Sequence, residues 1–263
     1  MNSGDFLAPL ARLVSIAGDD IPLLAGVFAR MSAVAFLAPG IGERTTPMRA
    51  RLAAAFALTA IVAPVAAQEA SAADPVSLAG LLGAETLAGL VIGFALRLAV
   101  MALAMAGTIA AQHISLSMLL GPGLGHEQET QLSTILIMGS LAVGASAGLH
   151  FEIAAALVST YEIFPFGVAP FAGEAAEFIL AQSASSLSIA FAMAAPFVIL
   201  GFVYSLALAA MSRAMPQLMA AFVGAPAVIF AGLVLFAGTA SIIVGRWNDL
   251  IARLLTDFSG GLK

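Results

Sequence analysis

The chain has 263 residues, of which 61% are hydrophobic and only 10% are charged, with a mean hydropathy of +1.05 and a net charge of −5. Soluble domains carry about 25% charged residues, so this composition predicts that lipid or partner proteins cover much of the surface. The negative charge excludes a basic nucleic-acid-binding face, and the lack of cysteine excludes disulfides and thiolate metal sites. The single lysine, Lys263, excludes phosphate-loop ATPases and Schiff-base enzymes, which need an internal lysine.

Six apolar regions occur along the chain, at residues 21–37, 52–67, 78–120, 132–151, 187–211 and 218–244. They predict an all-α, membrane-associated fold made of helical hairpins with long kinked helices, in one integral domain. Pro64, Pro196 and Pro226 predict breaks in three of these regions, because proline lacks the N–H that a helix needs. Residues 152–186 are expected to form a polar hairpin, and residues 245–263 an amphipathic tail.

The third region is too long for a single plain crossing of a membrane. A spanning helix needs about 20 apolar residues for a hydrocarbon core of roughly 30 Å. A helix from Leu78 to Ser117 would reach roughly 60 Å at 1.5 Å per residue. Either this helix breaks or it extends well beyond the lipid. Some apolar segments are therefore expected to pack on protein instead of lipid.

Two charges and two glycines lie along one ridge of the third region. Glu85, Gly89, Gly93 and Arg97 are each four residues apart. Glu85 and Arg97 lie about 18 Å apart along the axis, so they cannot pair with each other, and the glycines between them favour close helix packing. We expect both charges, with Arg30 of the first region, to pair with other helices; a role in transport is the alternative.

Two patterns resemble catalytic or metal-binding motifs. Gly144–Gly148 reads GASAG, which matches the nucleophile pattern G-x-S-x-G, and His150 lies close by. Because Ser146 is expected inside an uninterrupted apolar helix, tight helix packing is favoured over an intramembrane serine protease. His113 and the HEQE run that begins at His126 match no zinc spacing, so solvated loop residues are favoured over a metal site. No catalytic residue, metal or cofactor is predicted.

Four segments carry more specific patterns. Val27–Pro64 contains F-x-R, A-P-x-x-G and R-x-x-L-A; Glu85–Gln112 opens with E-x-x-x-G-x-x-I-G-F; Thr160–Gly167 reads TYEIFPFG; and Ala195–Leu233 contains S-R-x-x-P-Q followed by V-G-x-P. Together they cover most of the chain, in order. They resemble the export-gate family of the flagellar biosynthetic protein FliR, which also serves virulence type III secretion.

The resemblance implies a non-enzymatic subunit of the flagellar protein export gate. In that family one such chain joins several copies of FliP and FliQ in a closed helical assembly, most of which lies above the bilayer plane. FlhB would wrap the cytoplasmic side, and unfolded flagellar proteins would pass through. The place would be the bacterial inner membrane, in the flagellar basal body. A virulence export gate and a stand-alone secondary transporter are the alternatives.

The resemblance also implies site residues. A loop that plugs the channel would comprise Gln112, Ile114, Ser115, Leu116, Ser117, Met118, Leu119, Leu120, Gly121 and Pro122. Contacts with other helices or partners would involve Arg30, Glu85, Gly89, Gly93, Arg97, Arg213, Pro216 and Gln217. The chain departs from the family pattern at Ile114, where glycine is usual, at Gly121, where aspartate is frequent, and at Met219, where asparagine is usual.

Overall fold

The computed structural model describes residues 21–43, 45–70, 77–114, 131–214 and 220–260, and every regular element in these ranges is a helix. The helices are α1 (Ile21–Leu37), α2 (Met48–Ala70), α3 (Leu78–Ile114), α4 (Gln131–Ser146), α5 (Leu149–Ile163), α6 (Ala172–Ala214) and α7 (Ala220–Gly260). The predicted all-α class is confirmed. Four of these helices are long and apolar enough to cross a membrane, and α4 with α5 would make a fifth span.

Helix α3 is continuous over its 37 described residues. At 1.5 Å per residue it measures about 55 Å, which exceeds the hydrocarbon core of a bilayer. The length of the third region posed two alternatives, a break in the helix or an extension beyond the lipid. No break occurs between Leu78 and Ile114. The rest of the third apolar region, residues 115–120, lies outside the described residues.

The predicted proline breaks are wrong for the described helices. Pro64, Pro196 and Pro226 lie inside α2, α6 and α7, and the last two helices reach 43 and 41 residues. Each proline removes one backbone hydrogen bond. Apolar helices of membrane proteins tolerate this loss, because neighbouring helices and local adjustments satisfy the freed carbonyl.

The expected uninterrupted helix over residues 132–151 is also wrong. Helix α4 ends at Ser146, and α5 begins at Leu149. Between them Gly148 has a φ of 91°, a left-handed conformation that glycine adopts without steric cost and that commonly ends helices. Gly148 is therefore a helix terminator, whereas Gly144 is buried on α4.

The polar stretch 152–186 and the tail 245–263, as far as Gly260, lie largely in helices. The stretch belongs to α5 and α6, which flank a loop over residues 164–171, and its four glutamates are exposed on these helices. The tail continues α7 as far as Gly260. Its amphipathic character is present there, since Trp247 and Leu250 are buried while Arg246 and Asp249 are exposed.

The chain divides into two compact units. One comprises Met1–Arg97, Leu149–Leu180 and Arg253–Lys263, and the other Leu98–Gly148 and Ala181–Ala252. In the first unit α2 packs against α5. In the second, Gly107 of α3 lies against the Ser133 backbone of α4, where a Cβ atom would clash.

Candidate functional site

A fully buried ion pair joins α1 to α3 in the first unit. Arg30 Nε donates to Glu85 Oε2 at 2.7 Å, and Arg30 Nη2 donates to Glu85 Oε1 at 3.0 Å. Both side chains have no exposed surface. The two parallel bonds form the bidentate arrangement that is strongest between guanidinium and carboxylate. A buried pair of this kind satisfies charges that would otherwise be very costly among apolar side chains.

The segment that follows α5 completes this cluster. Arg30 Nη2 also donates to the Phe164 carbonyl at 2.9 Å, and the Gly167 N–H donates to Glu85 Oε1 at 2.8 Å. The Tyr161 ring lies 3.8 Å from the guanidinium carbon of Arg30, and its hydroxyl donates weakly to Glu85 at 3.4 Å. Gly167 reaches this position with a φ of 77°, which favours glycine. We call these five residues the buried charge cluster; it ties α1, α3 and the TYEIFPFG segment together.

The glycine ridge of α3 explains how α1 comes so close. A Cβ atom on Gly89 would clash with the Arg30 carbonyl, and one on Gly93 would lie 3.0 Å from the Leu37 Cβ. Helices that meet at glycines can bring their backbones into contact. Gly89 therefore permits the approach that places Arg30 beside Glu85.

Arg97, at the far end of the same ridge, has a different partner. Its Nη1 donates to Glu43 Oε1 at 2.8 Å, with side chains that are 24% and 11% exposed. Arg51 Nη2 donates to the Glu43 carbonyl at 2.6 Å, and its guanidinium faces the Phe36 ring at 5.2 Å. This half-buried cluster fixes the loop between α1 and α2 on α3.

The remaining predicted residues are not brought into either cluster. Gln112 is exposed, whereas Ile114 is fully buried against Gly232 of α7. Arg213 is exposed at the end of α6. The other predicted plug residues, Ser115 to Pro122, and the predicted contacts Pro216 and Gln217 lie outside the described residues, as does Met219.

The protease pattern takes no special geometry, and the HEQE run that begins at His126 lies outside the described residues. The Ser146 hydroxyl donates to the Val143 carbonyl of its own helix at 2.7 Å. His150 is exposed on α5 with its ring against Phe151, 4.0 Å between centroids. Within the described ranges, no three His, Asp or Glu side chains are grouped as metal ligands.

Several members of these clusters were missed by the sequence analysis. Glu43, Tyr161 and Gly167 lie more than 50 residues from the charges they meet. Trp247 was also missed: it is fully buried, and its indole N–H donates to the Ala99 carbonyl of α3 at 3.0 Å. The one available signal for Tyr161 and Gly167 was the TYEIFPFG segment. It carried part of the family resemblance, but it did not indicate that these residues contact Glu85.

Comparison with known proteins decides the family. Residues 21–254 match the bacterial export proteins, family 1. The chain belongs to this family. It is 35% identical over 237 residues to the flagellar biosynthetic protein FliR of Caulobacter vibrioides, covering 89% of this chain and 94% of that protein. It is 27% identical over 229 residues to FliR of Escherichia coli K12, covering 86% and 87%. The matched span includes both clusters. The family match and the two FliR relatives confirm the resemblance to the FliR export-gate family.

Proposed function

We propose that this chain is a non-enzymatic subunit of the flagellar protein export gate. The observation that carries the proposal is the near-complete coverage of a flagellar relative, 94% of its length at 35% identity. Both relatives are named flagellar biosynthetic proteins, which favours flagellar over virulence secretion. The apolar helices favour a membrane location, and the flagellar relatives favour the bacterial inner membrane at the flagellar basal body.

In this proposal the chain works within an assembly. FliP and FliQ are the proposed neighbours, with FlhB on the cytoplasmic side, and together they form the channel for unfolded flagellar subunits. The exposure of large apolar side chains supports the need for cover: Phe151 and Phe171 are each 72% exposed, and Leu180 is 69% exposed. Large exposed apolar surfaces mark sites of contact with other proteins or lipid.

The chemistry of the clusters supports a structural role. The polar bonds of the buried charge cluster connect helices to one another, and Arg30 and Glu85 have no exposed surface on which to bind a substrate. A stand-alone secondary transporter would draw support from broken helices. Pro64, Pro196 and Pro226, where such breaks were predicted, lie inside continuous helices.

A gene deletion tests the proposed function. Cells without this chain are expected to stop exporting hook and filament proteins, and a plasmid copy should restore export and swimming. An Arg253→Ala copy, which should restore export, provides a matched control, because this exposed side chain belongs to neither cluster and to none of the predicted contacts. Normal export of filament protein by the deletion strain would contradict the proposal.

The proposed plug has its own test. Deleting residues 115–121 keeps Ile114 in its buried position against Gly232 and removes the segment that would close the resting channel. Apolar constrictions exclude ions by dewetting, so membranes that contain the assembled variant should conduct ions at rest. Resting conductance equal to that of the wild-type assembly would refute a plug at this position.

A further inference from the structure

The last turn of α3 meets both α6 and α7 at a glycine. A Cβ atom on Gly201 of α6 would lie 2.7 Å from His113 Nδ1 and 2.9 Å from His113 Cβ. A Cβ atom on Gly232 of α7 would lie 2.5 Å from Ile114 Cγ1 and 2.6 Å from Ile114 Cγ2. These separations are shorter than real Cβ atoms show, so both contacts depend on the absence of a side chain. Both glycines are buried, and Ile114 has no exposed surface.

The two glycines lie at one level of the α6–α7 pair. Phe197 of α6 meets Phe236 of α7 with ring centroids 6.4 Å apart, and Tyr204 of α6 lies beside Gly224 of α7. These contacts run in opposite directions along the chain, so α6 and α7 are antiparallel. The glycine of α6 is four residues after Phe197, and the glycine of α7 is four residues before Phe236. In an antiparallel pair both steps lead about 6 Å in the same direction.

Gly201 and Gly232 therefore form one notch across the two helices, which we call the glycine notch. Two consecutive residues of α3, His113 and Ile114, fill it. Helices that meet at glycines can bring their backbones into contact. All four residues belong to the second unit, so the notch fixes the end of α3 within that unit.

The branched shape of Ile114 makes the contact with Gly232 strict. The Cβ position at residue 232 is almost equally close to both γ-carbons of Ile114. These two carbons occupy two of the three staggered positions about χ1, so every rotamer leaves at least one carbon at the contact. A β-branched side chain in a helix also strongly prefers one rotamer. A side chain at residue 232 would therefore displace the end of α3, by about 1 Å to reach an ordinary carbon–carbon separation of about 3.5–4.0 Å.

We propose that Gly201 and Gly232 are positioning residues of the export gate, and that Ile114 is the anchor of the proposed plug. This inference rests on the proposed function. The Ile114 side chain is fully buried, so it is not available to close a passage itself. It holds the point from which the chain continues to residue 115. Dewetting by an apolar constriction requires a narrow passage, so a displaced anchor should let ions through.

Substitutions of matched size test the notch in the detergent-solubilised full assembly. Gly232→Ala should lower the melting temperature by about 2–12 °C, the shift expected from overpacking a core. Ile114→Ala leaves a void and should lower it as well. In the double variant the new methyl group occupies part of that void, so Gly232→Ala should cost little in the Ile114→Ala background. Gly238→Ala is the matched control on α7, because nothing lies within 4 Å of its Cβ position.

Resting ion conductance, normalised to the amount of assembled protein, tests the positioning role. Membranes that contain the Gly232→Ala assembly should conduct ions at rest, and adding Ile114→Ala should bring the conductance back toward that of the wild type. Gly238→Ala should conduct like the wild type. A lower melting temperature with wild-type conductance in Gly232→Ala would show a purely structural contact and overturn the positioning role.

The melting measurements separate this inference from the proposed function. Wild-type melting of Gly232→Ala, or an equal cost of this change with and without Ile114→Ala, would overturn the notch. Normal export by the deletion strain would overturn the export function and leave the melting results unchanged. If Gly232→Ala alone does not assemble, recovery of the assembly on adding Ile114→Ala supports the notch, and failure to recover overturns it.

Discussion

Removing Glu85 tests the most consequential structural feature, the buried charge cluster. In Glu85→Ala, Arg30 loses both carboxylate bonds and keeps only the Phe164 carbonyl and the Tyr161 ring, while the Gly167 N–H loses its acceptor. Removing one partner of a buried ion pair costs about 3–5 kcal/mol, because the other charge stays buried without compensation. That range changes the ratio of folded to unfolded protein by roughly a hundredfold to several thousandfold.

The assay is the temperature at which half of the detergent-solubilised protein remains monodisperse. By the scaling of large single domains, this loss corresponds to a decrease of about 6–20 °C. A matched control is Glu43→Ala: its partner Arg97 is 24% exposed and can turn to solvent, so the decrease should be much smaller. Both variants lose one carboxylate, but only Glu85→Ala leaves its partner charge fully buried. Comparing their melting temperatures therefore separates the effect of losing a charge from the effect of burial.

A double variant sharpens the reasoning about this pair. Arg30→Met with Glu85→Met removes both charges and leaves only neutral groups unpaired, each at a cost of about 1–3 kcal/mol. We expect it to melt above Glu85→Ala and below the wild type, since replacing both ions by apolar groups is often nearly neutral. A Glu85→Ala protein that melts like the wild type, or a double variant that melts below Glu85→Ala, would refute this explanation.

The remaining predictions concern close approaches and the one buried indole. Gly89→Val should weaken the assembly by pushing α1 away from α3, whereas Gly83→Val, with open space around its Cβ position, should leave its recovery unchanged; equal recovery would contradict close packing at Gly89. Gly167→Ala should lower the melting temperature, since its left-handed φ costs roughly 1–2 kcal/mol with a side chain; an unchanged value would argue against strain there. Trp247→Phe should cost about 1 kcal/mol through the lost bond to the Ala99 carbonyl, and Trp247→Ala considerably more; equal melting of the two would contradict a bond-specific contribution.

Sequence reasoning identified the charges that matter but not their partners. Glu85 and Arg97 stood out because an intramembrane charge needs compensation and because their helical spacing separates them. Nothing local connects Glu85 with Arg30 or with Gly167, since these bonds join positions 55 and 82 residues apart. Such pairings depend on how helices dock, which a single sequence does not encode in any local pattern.

Helix class was predictable, whereas helix boundaries were not. Continuous apolar runs without alternation favoured helices, and α1 spans the same residues, Ile21–Leu37, as the first apolar region. The sequence analysis predicted helix breaks at proline, but Pro64, Pro196 and Pro226 lie in continuous helices. The sequence analysis did not predict that Gly148 ends a helix. That role depends on a left-handed backbone, which an apolar G-x-x-x-G pattern does not reveal. In both cases tertiary packing decides between alternatives that local propensity leaves open.

The proposed role depends most directly on whether the chain works inside a larger complex. Affinity purification of the full chain from its own bacterium in mild detergent, followed by native mass spectrometry, measures this. We predict a particle that contains one copy of this chain with several copies of FliP and FliQ. A fully folded solitary monomer as the dominant species, in cells that export flagellar proteins normally, would contradict the proposal.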